Sequence, residues 1–290
     1  MNILVTGANG QLGNELRLLS KGSGHHFIFT DVNSVPGQET VYLDVTDLGT
    51  IRIICDSENV DAIINCAAYT NVDMAEEDKD MADLLNRKAP GNLAAAARER
   101  GITLIHISTD YIFSGDGFEP ICEDAVPSPR SHYGKTKLAG EKAIQESGCD
   151  YIILRTAWMY SPFGKNFVKT IHHLTEVNDS LKVVYDQVGT PTYAADLAAV
   201  ILHIIDSGKL SQKGVYNYTD EGVLSWYDFA VEICSLSGHR CAIRPCRSSE
   251  FPSKVRRPHY SVLDKTLIQK TFGIKIPYWR DSLKACMERL

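Results

Sequence analysis

Short apolar segments alternate with amphipathic segments through the first half of the chain. The apolar segments, rich in Ile, Val and Leu, predict buried strands over residues 2–6, 26–30, 41–43, 62–65, 103–108 and 151–155. Apolar residues recur at helical spacing between them, which predicts helices over residues 11–20, 48–57, 81–100 and 133–146. Because helices that join parallel strands cover both faces of the sheet, this order predicts an α/β fold with a parallel sheet.

The pattern is less regular after about residue 156. It predicts helices over residues 166–177, 194–205, 226–235 and 280–289, and short strands over residues 182–185 and 215–218. We predict a nucleotide-binding domain at residues 1–156, which also receives later segments near 185–210, and a mostly substrate-binding lobe at residues 157–290. Open α/β sheets bind ligands at the carboxyl ends of their strands, so the lobe is expected at that edge.

The composition excludes several classes of partner. The chain has 290 residues and a net charge of −6, which offers no overall attraction for nucleic acid or an anionic membrane. No apolar run is long enough to predict a membrane span, and the N-terminus lacks the features of a signal peptide. Eight cysteines occur without a C-x-x-C pair. We weighed Cys241 and Cys246 as a disulfide or metal pair, but reduced thiols in a cytoplasmic protein are the better interpretation.

Three glycines lie between the first predicted strand and the first predicted helix. Gly7 permits a tight turn, Gly10 lets the backbone approach a phosphate, and Gly13 allows close packing of helix and strand. The start of the helix, at Gln11 and Leu12, then offers amide donors to a pyrophosphate. A tight turn without a ligand is the alternative, but this position in an α/β chain favours a dinucleotide.

Acidic residues follow the second and third predicted strands. Asp31 lies 24 residues after Gly7 and can accept hydrogen bonds from ribose hydroxyls, whereas it would repel a 2′-phosphate. No arginine follows it directly, which favours NADH over NADPH. Asp44 and Val45 are a candidate rim for the adenine. An ordinary turn is the alternative for both sites.

Two further segments end at the same predicted edge of the sheet. Ala67, Ala68 and Tyr69 follow the fourth strand, where small residues let a dinucleotide lie against the sheet or else serve helix packing. Ser108 and Thr109 follow the fifth strand, and a hydroxyl there can donate a hydrogen bond to a substrate carbonyl.

Tyr133 and Lys137 lie four residues apart in a predicted helix and therefore project from one face. An ammonium beside a phenol favours the phenolate, so it lowers the pKa of the hydroxyl. Such a pair is a proton donor for a carbonyl oxygen. Chance also produces this spacing, but its context of glycine turn and edge hydroxyls indicates reduction of a carbonyl.

These motifs together resemble the extended short-chain dehydrogenases/reductases. The resemblance rests on the three glycines, Tyr133-x-x-x-Lys137 and the segment Ser108-Thr109-Asp110-Tyr111. Residues 133–141, 155–158, 160–167, 186–193 and 257–264 narrow it to the dTDP-4-dehydrorhamnose reductases, over nearly the whole chain. Residues 112–115 depart from that family's usual acidic residue before the glycine. The resemblance implies a Rossmann-type, doubly wound parallel sheet with a smaller C-terminal substrate lobe.

The resemblance also implies a reaction. NADH or NADPH would reduce the C4 keto group of a nucleotide sugar, dTDP-4-dehydro-L-rhamnose. Tyr133 would protonate the O4 atom, and Lys137 would lower the pKa of Tyr133 and hold the nicotinamide ribose. Thr109, with Asp110 beside it, would bind the sugar near the reacting carbonyl.

Two more residues match substrate-binding positions of the family. Trp158 matches an aromatic residue that contacts the substrate, against the alternative of an ordinary core tryptophan. Arg257 is expected to meet the substrate's diphosphate, against the alternative of a solvated surface charge.

Some members of the family bind Mg²⁺ at a dimer interface through acidic side chains, and Glu15 matches one such position. A metal ligand at Glu15 and a homodimer are therefore expectations, against the alternative of a solvated helix glutamate. Two other functions stay open: reduction or epimerisation of another nucleotide-linked 4-keto-deoxysugar, and a non-catalytic role like that of a methionine adenosyltransferase regulatory subunit. Because Thr109, Tyr133 and Lys137 are all present, an enzyme is favoured.

Overall fold

A computed structural model describes residues 1–251 and 253–290 of the chain. The described residues form these strands, in chain order: β1 (Asn2–Thr6), β2 (His26–Asp31), β3 (Val41–Tyr42), β4 (Ala62–Asn65), β5 (Thr103–Thr109), β6 (Asp150–Thr156), β7 (Met159–Tyr160), β8 (Ser180–Val184), β9 (Val188–Gly189), β10 (Thr192–Tyr193), β11 (Gly214–Asn217), β12 (Leu224–Ser225) and β13 (Ala242–Cys246). Seven of them build one parallel sheet in the order β11-β6-β5-β4-β1-β2-β3. The predicted α/β class and Rossmann-type sheet are confirmed.

The α-helices of the described residues cover both faces of this sheet or pack in a second core. In chain order they are α1 (Gln11–Leu19), α2 (Leu48–Ser57), α3 (Lys79–Asp83), α4 (Ala89–Arg100), α5 (His132–Ser147), α6 (Phe167–Val177), α7 (Ala194–Asp206), α8 (Trp226–Leu236), α9 (Thr266–Phe272) and α10 (Trp279–Met287). Side chains of α1, α7 and α9 pack on one face, and side chains of α2, α4 and α5 pack on the other. Ile3 and Leu4 on β1 enter these opposite cores and are both completely buried. Burial on both faces explains why the strands are apolar throughout rather than alternating.

The order of the strands creates a crevice. The chain extends from β1 towards β2 and β3 on one side, and later through β4, β5 and β6 on the other. Connections on the two sides of β1 therefore lead away from each other, which leaves an opening at the carboxyl ends of β1 and β4. This opening is where a ligand of a doubly wound sheet is expected.

The long helix predicted over residues 81–100 is interrupted. A π-helical segment, Leu84–Lys88, separates α3 from α4. Pro90 in the first turn of α4 has no N–H, so it cannot donate to the carbonyl four residues earlier, which belongs to Asn86. The buried side chain of Asn86 instead bonds both the N–H and the carbonyl of Tyr69 and the hydroxyl of Thr136. The interruption thus joins the segment after β4 to helix α5.

The second half of the chain contributes to two regions. Helix α7 and strand β11 lie in the sheet layer, while a separate aromatic core gathers Tyr160, Phe229 and Trp279 from β7, α8 and α10. Three two-stranded pairs, β7–β10, β8–β13 and β9–β12, contribute side chains to this second core. The domain division at residue 156 stays a prediction.

Most predicted elements are present with ends that differ by at most two residues. The sequence did not predict β7, β9, β10, β12, β13 or α9, which are two to seven residues long. None of the helices in residues 1–251 and 253–290 is long and apolar enough to cross a membrane.

Candidate active site

A cleft of about 980 Å³ lies along the carboxyl ends of the sheet strands. The residues predicted from the sequence that line this cleft are Gly7, Gly10, Gln11, Leu12, Asp31, Asp44, Val45, Ala67, Ala68, Thr109, Asp110, Tyr133, Lys137, Trp158 and Arg257. Gly13, Tyr69 and Glu15 are not among the residues described as lining it. One continuous cleft therefore brings together the predicted cofactor residues and the predicted reacting residues.

The glycine turn between β1 and α1 forms one end of the cleft. Gly7 has a φ of +62°, and a Cβ there would lie 2.6 Å from the backbone nitrogen of Ala67. Gly13 faces the turn itself, because a Cβ there would lie 2.5 Å from the Cα of Ala8. Gly13 thus lets the helix pack closely on the turn and is not among the described residues that line the cleft. Among the described residues no side chain caps the start of α1, whose first residue, Gln11, lines the cleft.

Asp31 holds the shape of this end of the cleft. Its two carboxylate oxygens accept hydrogen bonds from the backbone N–H groups of Asn9 at 3.1 Å and Asn33 at 2.9 Å. The sequence has no arginine directly after Asp31, but the structure places Arg17 of α1 nearby, 4.3 Å from the ring of Phe29. The carboxylate of Asp31 opposes the burial that lowers the pKa of Arg17. The preference for NADH was inferred only from the residues directly after Asp31 in sequence, and that inference did not take Arg17 into account.

Thr109 and Ile107 at the end of β5 contact the helix α5. Thr109 is a hydrogen-bond partner of the Tyr133 phenol, and the ammonium of Lys137 donates to the carbonyl of Ile107 at 2.6 Å. Ser131 caps the helix, because its hydroxyl accepts a hydrogen bond from the N–H of Gly134 at 3.0 Å. Tyr133 and Lys137 are both more than nine-tenths buried. The structure thus brings the predicted hydroxyl, phenol and ammonium to the end of β5, in one cleft.

The structure corrects the predicted pKa of Tyr133. Burial raises this pKa, and the hydrogen bond with Thr109 opposes the rise only in part. Lys137 is not among the groups that act on the phenol, because its ammonium bonds the carbonyl of Ile107 instead. Burial also lowers the pKa of Lys137 to about 8. Tyr133 is therefore a neutral phenol at neutral pH, which is the form that can donate a proton.

Asp110 lies beside Thr109 with one carboxylate oxygen free. Its Oδ1 atom accepts a hydrogen bond from the hydroxyl of Thr109 at 3.0 Å. The Oδ2 atom is buried and makes no hydrogen bond of ordinary geometry to the described residues, although the hydroxyl of Ser261 acts on this carboxyl and opposes the rise of its pKa. Burial raises the pKa of this carboxyl to about 6. A buried acceptor without a partner in a cleft is suited to a hydroxyl of a bound ligand.

Aromatic side chains form the wall beside these polar groups. Trp158 has a φ of +49°, a conformation that is unfavourable for a residue with a side chain. Its ring stacks on that of Trp226, with the two centroids 3.6 Å apart, and Trp226 also contacts Phe167 at 4.4 Å. Trp158 thus lines the cleft on one side and packs against the aromatic core on the other, and its contact with a substrate stays a prediction. The sequence did not single out Trp226, which only begins a predicted helix.

Arg257 reaches the cleft from the C-terminal lobe. Its guanidinium donates to the carboxylate of Asp73 at 2.9 Å and is a hydrogen-bond partner of Tyr111. About a third of its side chain is exposed, so it is not the fully solvated charge that was the alternative. Nothing in the sequence connects Arg257 with Asp73, which is 184 residues away.

Two predicted residues lie elsewhere. Tyr69 packs with Ala75 and Tyr133 in a small apolar cluster, and its backbone is held by Asn86. Glu15 is only 1% exposed, and its Oε2 atom accepts a hydrogen bond from Arg289 at 3.0 Å. Glu15 is therefore not a solvated helix glutamate, and its Oε1 atom has no hydrogen-bond partner among the described residues, so its role as a metal ligand stays a prediction. The described residues contain no group of three His, Cys, Asp or Glu side chains arranged to bind a metal.

Comparisons with known proteins agree on one family. The family model described as "RmlD substrate binding domain" matches residues 1–290. The spore coat polysaccharide biosynthesis protein SpsK of Bacillus subtilis (strain 168) is 36% identical, over 99% of this chain and 96% of that protein.

Two solved structures share the fold over their full length. A dTDP-4-dehydrorhamnose reductase from Clostridium acetobutylicum is 44% identical, with a TM-score of 0.93 over 100% of this chain and 99% of that one. The dTDP-4-dehydrorhamnose reductase from Bacillus anthracis, solved in complex with NADP, is 33% identical, with a TM-score of 0.91 over the same shares.

Proposed function

The chain belongs to the family of the RmlD substrate binding domain, and we propose that it reduces the C4 keto group of dTDP-4-dehydro-L-rhamnose with NADH or NADPH. The observation that carries the proposal is the cluster of Thr109, Tyr133 and Lys137 in the same cleft as the glycine turn. A non-catalytic subunit does not need a buried phenol and a buried ammonium at the edge of a nucleotide cleft.

The residues at the glycine turn fit a dinucleotide. The absence of a Cβ at Gly7 lets the turn lie close to the backbone of Ala67, and the uncapped start of α1 among the described residues leaves amide donors for a pyrophosphate. Asp31 and Asp44 line the cleft where the adenosine half would lie, and Ala67 and Ala68 follow the neighbouring strand. When bound, the dihydronicotinamide supplies a hydride to the C4 carbon of the sugar.

The chain's own residues supply the proton and hold the substrate. Tyr133, neutral because its pKa is raised, donates its proton to O4 and is reprotonated from solvent. Thr109 has one hydroxyl proton, which it donates to Asp110 in the absence of substrate; with the sugar bound, this proton turns to the same oxygen and so fixes its position. The free Oδ2 atom of Asp110 accepts from a sugar hydroxyl, and Trp158 packs against the apolar side of the ring.

Arg257 is our candidate for the diphosphate. It lines the cleft and carries a partly exposed guanidinium, whose five donors suit phosphate oxygens. We further propose that residues 1–156, with α7 and β11, hold the dinucleotide, and that the rest of the chain mostly holds the sugar nucleotide. All eight cysteines are free thiols, which supports a reducing compartment such as the cytoplasm.

The proposal contains no bound magnesium ion and does not depend on a homodimer. Glu15, the residue that matched a metal position, has its charge balanced by Arg289. A second cation beside that pair would meet the repulsion of the guanidinium.

The test supplies the purified protein with dTDP-4-dehydro-L-rhamnose and either NADH or NADPH, and follows the oxidation of the cofactor. We expect one cofactor oxidised for each sugar reduced. A parallel reaction with a dTDP-linked 4-keto-6-deoxy-D-hexose tests the choice of sugar, and an epimerase would change either sugar without net consumption of cofactor. No turnover of any of these substrates would refute an enzymatic function of this kind.

A further inference from the structure

Helix α5 carries a third buried ionisable residue on the face that holds Tyr133 and Lys137. Glu141 follows Lys137 by four residues, so the three side chains lie one above another along the helix. Only 1% of Glu141 is exposed. A glutamate is rarely buried to this extent unless its charge is balanced and its oxygens are hydrogen-bonded.

The contacts of these three side chains follow consecutive residues of β5. The Ile107 carbonyl accepts from Lys137, the Ser108 hydroxyl donates to the Oε1 atom of Glu141, and Thr109 bonds Tyr133. Each of the last three residues of the strand is thus joined to one of three side chains on the helix. The end of β5 that carries Thr109 is therefore fixed to α5 by Glu141 as well as by the reacting residues.

Arg155 on the next strand completes the arrangement. Ser108 and Arg155 are register partners on β5 and β6, and both bond Glu141. The guanidinium of Arg155 donates to the two oxygens of Glu141 at 3.1 and 2.8 Å, and to the Glu123 carbonyl at 2.8 Å. Both partners of this ion pair are at least 95% buried. Such a bidentate pair fixes direction as well as distance.

The charges alternate along this line of side chains. Lys137 and Arg155 are both buried cations, and Glu141 is an anion that is paired with Arg155 and opposes the burial that lowers the pKa of Lys137. The other ionisable groups that face Lys137 are Tyr133 on α5 and His106 on β5. Burial keeps both of these neutral. Asp110 and Tyr111 face Tyr133, and Glu123 faces Arg155.

We propose that Glu141 is a positioning residue of the proposed reductase, which keeps Lys137 charged and the end of β5 in place through its bonds to Ser108 and Arg155. This inference rests on the proposed function. Glu141 does not touch the cleft, so its effect on the reaction is exerted through Lys137 and Thr109.

The experiment measures kcat and KM as a function of pH for the wild type and for Glu141→Gln, with the nucleotide sugar and saturating cofactor. The amide keeps an acceptor for Ser108 but loses the charge that favours the protonated form of Lys137. We expect the alkaline limb of kcat to move down by about 1 pH unit, because loss of a nearby opposite charge lowers the pKa of a buried lysine. At pH values above the alkaline limb of the wild type kcat should fall about tenfold, whereas KM for the sugar nucleotide should change less than about threefold.

Glu146→Gln is the matched control, because it removes the same charge from an exposed position on the same helix. Its pH profile should coincide with that of the wild type. If Glu141→Gln does not fold because Arg155 is left unpaired, the double variant Glu141→Gln/Arg155→Met removes both charges from the core. It should show the same downward movement of the alkaline limb, since Arg155 is not among the groups that act on Lys137.

The outcomes separate this inference from the function on which it rests. A folded variant with the alkaline limb of the wild type would overturn the role of Glu141 and leave the reductase in place. No turnover by the wild type would overturn the proposed function, and this inference with it.

Discussion

The ammonium of Lys137 is bonded to the backbone carbonyl of Ile107, at 2.6 Å, and not to the phenol of Tyr133. The carbonyl belongs to the strand that ends at Thr109, so the lysine stabilises the position of the hydroxyl that meets the phenol. Lys137 and Tyr133 therefore both contact the end of β5, Lys137 at Ile107 and Tyr133 at Thr109. The consequences for the charge of Lys137 and for the acid role of Tyr133 can be measured separately.

Replacement of Lys137 by Met should stabilise the fold in a pH-dependent way. Burial lowers the pKa of Lys137 from 10.5 to about 8, so between these values the unfolded chain binds more protons than the folded one. The free energy of unfolding of the wild type therefore gains from rising pH in this window. Below about pH 8 the lysine is charged in both states and the full cost of its burial, on the order of 3 kcal/mol, is present.

The difference between Lys137→Met and the wild type should thus shrink by roughly 3 kcal/mol from about pH 7 to about pH 10.5, as measured by urea unfolding. Lys142→Met, at an exposed position of the same helix, is the control and should show a constant difference. A constant difference for Lys137→Met as well would mean that the lysine has an ordinary pKa.

Tyr133→Phe should abolish most of the turnover and leave the cofactor bound. The substitution removes only the hydroxyl, whose proton the reaction uses, and positioned acids of this kind contribute about 10²- to 10⁴-fold to the rate. The ring keeps its contact with Tyr111, with the centroids 5.5 Å apart, so the wall of the cleft is preserved. We therefore expect kcat to fall within that range, while the Kd of the reduced cofactor, measured by fluorescence, changes less than about threefold.

Tyr151→Phe is the matched control, because Tyr151 lies near the opposite end of the sheet, at the start of β6. Its turnover should equal that of the wild type. Turnover by Tyr133→Phe at the rate of the wild type would remove the phenol from the role of acid.

The sheet and most residues of the cleft could be predicted from local patterns, because the few residues around each of them show in which strand, turn or helix it lies. Gly7 follows a buried strand, and the spacing of Tyr133 and Lys137 is the turn of a helix. Both facts can be read within a few residues of the sequence. The carboxyl ends of parallel strands meet at one edge, so the separate segments could be assigned to a single site.

Pairs of residues that are distant in sequence could not be predicted in this way. Arg289 reaches Glu15 from the other end of the chain, and Arg257 reaches Asp73. The pKa of Tyr133 could not be predicted either. The helical spacing suggested that the charge of Lys137 lowers this pKa, whereas burial in the complete fold raises it. Burial and long-range pairing are set by the complete fold and leave no local pattern.

Arg289→Ala should destabilise the protein, because it leaves the buried carboxylate of Glu15 without its cation. Arg289 also bonds the hydroxyl of Tyr193, so its loss releases the last turn of the chain from α1 and β10. Removing one partner of a buried pair costs about 3–5 kcal/mol, and the partial exposure of Arg289 reduces our expectation to about 2 kcal/mol. Thermal and urea unfolding measure this loss.

Glu15→Gln/Arg289→Ala removes both charges and should recover part of that stability, which the double-mutant cycle quantifies. Magnesium chloride and EDTA should leave the melting temperature and the mass in solution of the wild type unchanged. A large rise in melting temperature or a doubled mass with magnesium would support Glu15 as a metal ligand at a dimer interface.

Asp31→Asn should shift the preference of the cleft towards NADPH. The carboxylate of Asp31 would repel a 2′-phosphate and would accept hydrogen bonds from the ribose hydroxyls of NADH, so its neutralisation acts on the two cofactors in opposite directions. Loss of a charge-assisted hydrogen bond costs about 1.5–3 kcal/mol, which predicts a rise of roughly tenfold or more in the Kd of NADH. The Kd of NADPH should fall, because Arg17, which lies near Asp31, is then no longer opposed by its carboxylate.

Asp80→Asn, at an exposed position on α3, is the control for the change in net charge and should leave the ratio of the two dissociation constants unchanged. Equal changes for both cofactors in Asp31→Asn would show that the carboxylate only holds the backbone of Asn9 and Asn33 and does not select between them.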